Sequence, residues 1–264
     1  MNRNPLILAA SLAASLSLSA CMHEPSTPSA PSAAANTGYI SAAVADANRP
    51  DADKQRDANR KPAQTLEFLG VKPGGQVAEL LPGGGYFTRI FSKAVGPQGH
   101  VYALVPERPA NAPADMPDLA GRVKAIAADA NYANVTVVIQ PLNKLVTPAP
   151  VDLVFTAQNY HDLHNFPIDV VAFNKTILDS LKPGGLYVVL DHSAPAGSGL
   201  KDTKTLHRID ADVVKQEVIA AGFEFVGASD ILANSSDTRT AMVFDPSVRG
   251  KTDQFILKFR KPKK

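Results

Sequence analysis

Cysteine is nearly absent: the 264 residues carry one, Cys21. A folded domain without a second thiol holds no disulfide, which excludes disulfide redox chemistry as its business. Excess charge is absent too. The 27 lysines and arginines against 25 aspartates and glutamates leave a net charge of +2, so no broad basic field invites nucleic acid as a partner. The basic tail of Lys258, Arg260, Lys261, Lys263 and Lys264 reads as a solvated chain end. No internal repeat is visible. What remains is an ordinary globular composition, 45% hydrophobic, in a chain long enough for one α/β domain once a non-globular N-terminus is set aside.

Arg3 precedes an uncharged, largely apolar run from Pro5 to Ala20, with small residues before Cys21. The run is short and serine-rich, which points to a secretory signal and not a membrane span. Leu18-Ser19-Ala20-Cys21 resembles the bacterial lipobox, whose cysteine is lipid-modified and becomes the mature N-terminus. Met22 stands where aspartate favours inner-membrane retention, so the resemblance implies a lipid anchor on the periplasmic side of the outer membrane. The alternative is a plain cleaved signal with an incidental cysteine. Residues 1–21 are therefore expected to be a lipoprotein-type signal peptide. Residues 22–45, rich in Pro, Ser, Ala and Thr, are expected to be a disordered tether, and residues 46–264 the folded domain.

The stretch Gln76 to Thr88 organises that domain. An apolar run ends in Glu79, breaks at Pro82-Gly83-Gly84-Gly85, and turns helical, with Phe87, Ile90, Phe91, Ala94 and Val95 on one face and Gly96 to end it. Strand, glycine turn and helix leave backbone N–H groups facing the crevice at the strand's carboxyl end. Upstream, the charges between Asp46 and Arg60 would decorate an exposed helix, and a second helix runs from Pro62 to a stop at Gly70. Downstream, strands are expected at His100–Val105, Val135–Ile139, Val151–Thr156, Leu186–Leu190, Phe223–Val226 and Phe255–Phe259. Helices are expected around Leu119–Ala128, at Val170–Leu181, and after the cap Asp210. Lys182-Pro183-Gly184-Gly185 should form the turn before the fifth strand. Strands alternating with helices predict an α/β fold with a doubly wound, mostly parallel sheet.

Glu79 to Gly85, the Val151-Asp152-Leu153-Val154 strand, and Leu181-Lys182-Pro183-Gly184-Gly185-Leu186 resemble, in order, the motifs of class I S-adenosylmethionine-dependent methyltransferases. Within that superfamily the chain is similar to a group of predicted methyltransferases carrying Glu-Leu-x-Pro-Gly-Gly-Gly-Tyr, Asn-Tyr-His-Asp and Leu-His-Arg-Ile-Asp. The resemblance runs from about Asp51 to the C-terminus. It implies a seven-stranded Rossmann-like sheet with an antiparallel last strand, S-adenosylmethionine as cofactor, and methyl transfer to a small molecule or envelope component. It also implies cofactor contacts from Glu79, Gly83, Gly84, Gly85, Tyr86 and Thr88. Three positions depart from the pattern. Leu81 replaces the first glycine of the turn. Val105 stands where an acid usually meets the ribose, with Glu107 two residues on. Gln140-Pro141-Leu142-Asn143 stands where an acid often meets the adenine amine. Glu107 and Asn143 are the candidate replacements, and Asn159 is a candidate contact at the fourth strand's end.

Histidines supply the remaining chemistry. His161 and His192 follow strand ends on the same sheet edge as the glycine turn, with His164 and His207 nearby in sequence. Three readings stand open. His161 or His192 is a general base tuned by Asp162 or Asp191; or His161, His164 and His192, with Asp191 or His207, hold a metal; or the rings only bond loop backbone. The first makes His161, Asp162 and His192 the expected catalytic set. A metal is compatible with His-x-x-His but is not expected, since spacing alone does not meet the ligand count. Arg208 pairs either with Asp210 or with substrate. Compartment opposes the methyltransferase reading, because S-adenosylmethionine is made in the cytoplasm. The alternative function is a non-catalytic or metal-binding periplasmic lipoprotein that keeps the fold.

Overall fold

A computed structural model describes residues 38–108 and 118–263, together with Met1, Ala112 and Asp115. The expected signal peptide, with Cys21, lies outside the described residues. Chain order begins with helix α1 (Gly38–Val44), the one-turn helices α2 (Asp51–Lys54) and α3 (Asp57–Arg60), and α4 (Pro62–Leu69). Then come β1 (Gln76–Leu80), α5 (Tyr86–Val95), β2 (His100–Pro106), α6 (Leu119–Ala127), β3 (Val135–Gln140) and β4 (Val151–Ala157). The chain continues through α7 (Tyr160–Leu163), α8 (Val170–Ser180), β5 (Leu181–His192), α9 (Ala211–Ala220), β6 (Glu224–Ser229) and β7 (Gln254–Arg260). The strands form one seven-stranded sheet in the order β3-β2-β1-β4-β5-β7-β6. The first five are parallel, and β7 runs antiparallel to both β5 and β6. This is the doubly wound α/β sheet that the alternating pattern predicts.

Strand alternation divides the core into two layers. Val77 faces one cluster with Ile40, Leu66, Phe87, Phe91, Val123 and Phe155; Ala78 and Leu80 face the other with Tyr160, Phe173, Ile177, Val214 and Phe259. Successive side chains of a strand point to opposite faces, so a sheet covered on both sides is apolar at almost every position. Helix α5 buries the whole predicted face, Phe87, Ile90, Phe91, Ala94 and Val95, and Gly96 ends it. Asp169 caps α8 through the N–H of Ala172, and Asp210 caps α9 through that of Asp212.

Three expectations change. The domain begins earlier than residue 46: α1 buries Ile40 and Ala43 in the core, and Tyr39 donates to the carbonyl of Val71 at 2.5 Å. Tether-like composition did not prevent a helix there, because two apolar residues on one face suffice once a partner surface exists. The stretch from Asp46 to Arg60 is not one exposed helix. It breaks into two single turns around Arg49, which is fully buried against Asp57 and also donates to the carbonyl of Val44. Finally, the Lys182-Pro183-Gly184-Gly185 turn does not precede the fifth strand but forms a bulge inside β5, with Gly184 left-handed (φ 79°) and a register shift opposite Val151 to Leu153. Thr240 to Phe244, which has no clear reading in sequence, forms irregular chain.

Candidate functional site

In this sheet β2 and β3 lie on one side of β1, and β4 and β5 lie on the other. The switch point is therefore the crevice between the carboxyl ends of β1 and β4, where open α/β sheets take their ligands. A cavity of about 170 Å³ opens there, lined by Glu79, Leu81 to Gly84, Tyr86 and Phe87 from one side and Ala157 to Asn159 from the other. Arg56 and Arg60 close its third side. A larger hollow by Gly96, His100 and Asn134 lies at the amino end of β2, the opposite edge of the sheet.

Strand β1 delivers Glu79 to the base of the crevice, 3% exposed, where the Thr88 hydroxyl donates to Oε2 at 2.5 Å. Burial raises its pKa to about 8, and neither the Thr88 bond nor the charge of Arg60 offsets that. Thr88 thus sits behind Glu79, fully buried, and is not among the residues lining the cavity. Arg60 donates to Oε1 of Gln158 at 2.5 Å and lies over the Tyr86 and Phe87 rings, 4.7 and 5.7 Å from their centroids. Desolvation, then the neighbouring Arg56 charge, lowers its pKa to about 10. The cleft therefore holds an acid at its base and a guanidinium at its wall, which act on each other without forming an ion pair.

The turn itself has a left-handed backbone at Leu81 (φ 53°), Gly83 (φ 57°) and Gly85 (φ 77°). Leu81 adopts the conformation that a glycine takes without strain, which explains why a glycine is usual there and marks Leu81 as a strained substitute. A Cβ on Gly85 would lie 2.1 Å from Ile126 Cδ1, whereas one on Gly84 would meet nothing within 4 Å. Gly85 serves packing; Gly83 and Gly84 border the cleft. Asn159 donates from Nδ2 to the carbonyls of Leu81 (3.1 Å) and Ala157 (2.6 Å), stapling the turn to the end of β4. Tyr86 donates to Asp57 Oδ1 at 2.5 Å, so its hydroxyl is engaged with the N-terminal cover. Glu107 and Asn143 are exposed at the ends of β2 and β3 and are not among the residues lining the cavity.

A second polar cluster sits at the ends of β4 and β5. Asp191, fully buried, accepts from the backbone N–H of His161 (2.8 Å) and of His192 (2.7 Å), and bonds His161 Nδ1 at 2.8 Å. Burial opposes its ionisation, but the charge and hydrogen bonds of His161 prevail and hold its pKa below the ordinary value. Desolvation likewise opposes charge on His161, and Asp191 outweighs it, so the imidazole pKa is raised. His161 Nε2 points away from Asp191 to Asp162 Oδ1 and His207 Nδ1, each 3.3 Å away. His192 is different. Its Nδ1 bonds Thr252 Oγ1 at 2.7 Å, and burial lowers its pKa to about 4, which suits a neutral ring and not a base poised near neutrality.

The remaining histidine of the segment, His164, turns away to Glu217 (3.2 Å) and packs on Tyr160. The alternative ligand set of His161, His164 and His192 does not converge. Arg208 meets neither Asp210 nor a ligand cleft; it is fully buried on Asp237 at 2.9 Å. Sequence reading missed Arg60 in the cleft and its bond to Gln158. They lie 98 residues apart, in segments that look like surface helix and loop, and no local pattern signals their pairing.

No family model matches the chain. A curated relative, the protein-L-isoaspartate O-methyltransferase of Ignicoccus hospitalis, is 30% identical over 129 residues, 48% of this chain. The chain spans about half the length of that relative, 52%. Among solved structures, an S-adenosylmethionine-dependent methyltransferase from Aquifex aeolicus superposes with a TM-score of 0.56 at 19% identity, covering 80% of this chain and 98% of that one. One from Mesorhizobium loti gives 0.53 at 15%, covering 78% and 99%. The [4+2]-cyclase SpnF gives 0.54 at 18%, covering 80% and 81%. The fold is that of class I S-adenosylmethionine-dependent methyltransferases, and it hosts more than one chemistry.

Proposed function

We propose that this chain binds S-adenosylmethionine in the β1–β4 crevice and transfers its methyl group to a small molecule or envelope component. The carrying observation is the pair of under-compensated charges in the cleft. Among the described residues neither Glu79 nor Arg60 has an ion-pair partner within 4 Å, each acting on the other only at longer range, and the amino-acid end of the cofactor is a zwitterion that supplies a partner for both. Glu79 would receive the ammonium group, and Arg60 with Arg56 the carboxylate. Gly83 and Gly84 would let the backbone approach closely, and Asn159 would hold the turn in place. When bound, the cofactor supplies an electrophilic methyl group on a positive sulfur. The protein's part is mainly alignment. The acceptor would be placed by the cluster beside the cleft, with His161 and Asp162 facing it and His192 as a neutral ring behind them. The fold and the distant methyltransferase relative support this reading.

Calorimetry of the full chain with S-adenosylmethionine and S-adenosylhomocysteine tests it; saturable heat is expected with both. No heat, and no thermal shift at millimolar ligand, would remove the cofactor assignment. One observation favours a second reading. At the end of β2 the buried Val105 stands in place of a ribose-binding acid, and Glu107 remains outside the cavity. A charge-assisted hydrogen bond lost there costs roughly 1.5–3 kcal/mol, about ten- to a hundredfold in affinity. The alternative is a relative that keeps the crevice for another zwitterionic or nucleoside-like ligand. We further infer a periplasmic location through a lipid on Cys21, supported by the sequence of the signal.

A further inference from the structure

We propose that His161, Asp162 and His207 form a binding site for a divalent transition-metal ion of the zinc class, with a fourth position left for water or a ligand oxygen. Three donor atoms converge: His161 Nε2 lies 3.3 Å from Asp162 Oδ1 and 3.3 Å from His207 Nδ1, and the last two are 3.4 Å apart. Donors held about 2.0–2.1 Å from one ion at tetrahedral angles lie about 3.3–3.4 Å from each other, so the triangle has the size of one face of a zinc coordination shell.

Hydrogen-bond accounting points the same way. Asp191 engages Nδ1 of His161, which places the ring proton there and turns the Nε2 lone pair outward. With the ring neutral, that lone pair faces a carboxylate oxygen, another acceptor, and the single proton available on His207 Nδ1 cannot serve both, so either a second proton on His161 or a shared cation must resolve the contact. A cation at the centre satisfies all three. The buried Asp191 is then the carboxylate that orients a ligating histidine from behind, the usual supporting partner of such a ligand.

The third ligand is held in place as well. His207 adopts a left-handed backbone (φ 55°), unusual for a non-glycine residue. Its neighbours fix it: Arg208 is locked on Asp237, and Ile209 N–H donates to the His192 carbonyl at 3.0 Å. His161 is 2% exposed, while the Asp162 and His207 side chains are 38% and 28% exposed, so an ion could enter from solvent. No residue of this triangle lines the Glu79 cleft, and the site stands whether or not the cofactor assignment does.

The test is titration of Zn²⁺ and Co²⁺ into the full chain, purified without a histidine tag and stripped with chelator, in the absence of S-adenosylmethionine. One ion per chain is expected, and Co²⁺ should develop the visible absorption of a low-coordinate N/O site. His207→Ala and Asp162→Asn should each abolish that absorption, and Asp191→Asn should weaken Zn²⁺ binding by about 10–100-fold. His164→Ala should leave it unchanged. Should the His207 variant fail to fold, Asp162→Asn, at a partly exposed position, decides alone. Absence of binding to the unmutated chain, or binding equal in the Asp162→Asn variant, would overturn the proposal and leave a proton as the shared occupant.

Discussion

Burying Glu79 beside a single hydroxyl makes its protonation part of the folding equilibrium. An unfolded glutamate ionises near 4.5 and the folded one near 8. Across that window the folded chain retains a proton that the unfolded chain has lost. This residue's contribution is therefore fully present below about 4.5 and declines as pH rises towards about 8. Glu79→Gln keeps the size and the acceptor for Thr88 while removing the ionisation. Thermal unfolding from pH 4.5 to 8 should show a decline in the unmutated chain that is flattened in the variant; parallel curves would mean that Glu79 ionises normally. In the same variant, S-adenosylmethionine affinity should fall about ten- to a hundredfold, the worth of one charge-assisted hydrogen bond. The turn offers a second contrast. Gly85→Ala brings a Cβ to 2.1 Å from Ile126 and imposes a left-handed alanine, costing about 2–4 kcal/mol in all. Gly84→Ala meets no atom and should stay within about 0.5 kcal/mol. Urea unfolding of the pair measures both, and equal losses would refute the packing role of Gly85.

Local pattern made most elements legible. The α5 face, the cap Asp210, and the runs of β3 and β4 are read from a few neighbouring residues each. The N-terminal elements were not. Helix α1 offers two buried residues in seven, too few for a periodic signal, and α2 and α3 are single turns whose stability comes from Arg49, Asp57 and Tyr86. Isolated helices this short do not persist in water, so their existence is a tertiary fact. If α1 belongs to the domain core, Ile40→Ala should cost about 2–5 kcal/mol in chemical denaturation. A loss below about 0.5 kcal/mol would return this segment to the tether. The same packing brings Arg60 over the cleft, which is why the candidate site was only half visible in sequence. Glu79, the glycines and Asn159 lie on or beside the motif, while Arg60 arrives from a segment that reads as solvated surface.

At the scale of the molecule, attachment to a membrane and the chemistry of the fold are separate questions. Among the described residues no helix is long and apolar enough to cross a membrane. The proposed anchor therefore rests on Cys21, outside the described residues. Cys21→Ser should abolish incorporation of labelled fatty acid and shift the protein out of the membrane fraction. Unchanged labelling and fractionation would refute the lipoprotein reading without touching the fold.

The sequence by itself determined the sheet: its alternation of strands and helices, the glycine turn after β1, and the acid that ends it. Each depends on residues within one element, where the period of apolar side chains carries the information. Only the tertiary structure decided which polar side chains meet. It set Asp191 on His161 and not on the His192 ring, turned His164 towards Glu217, and brought His207 to within 3.3 Å of His161 across 46 residues. Those contacts depend on where β4, β5 and the loop before α9 end in space, and no spacing along the chain encodes that.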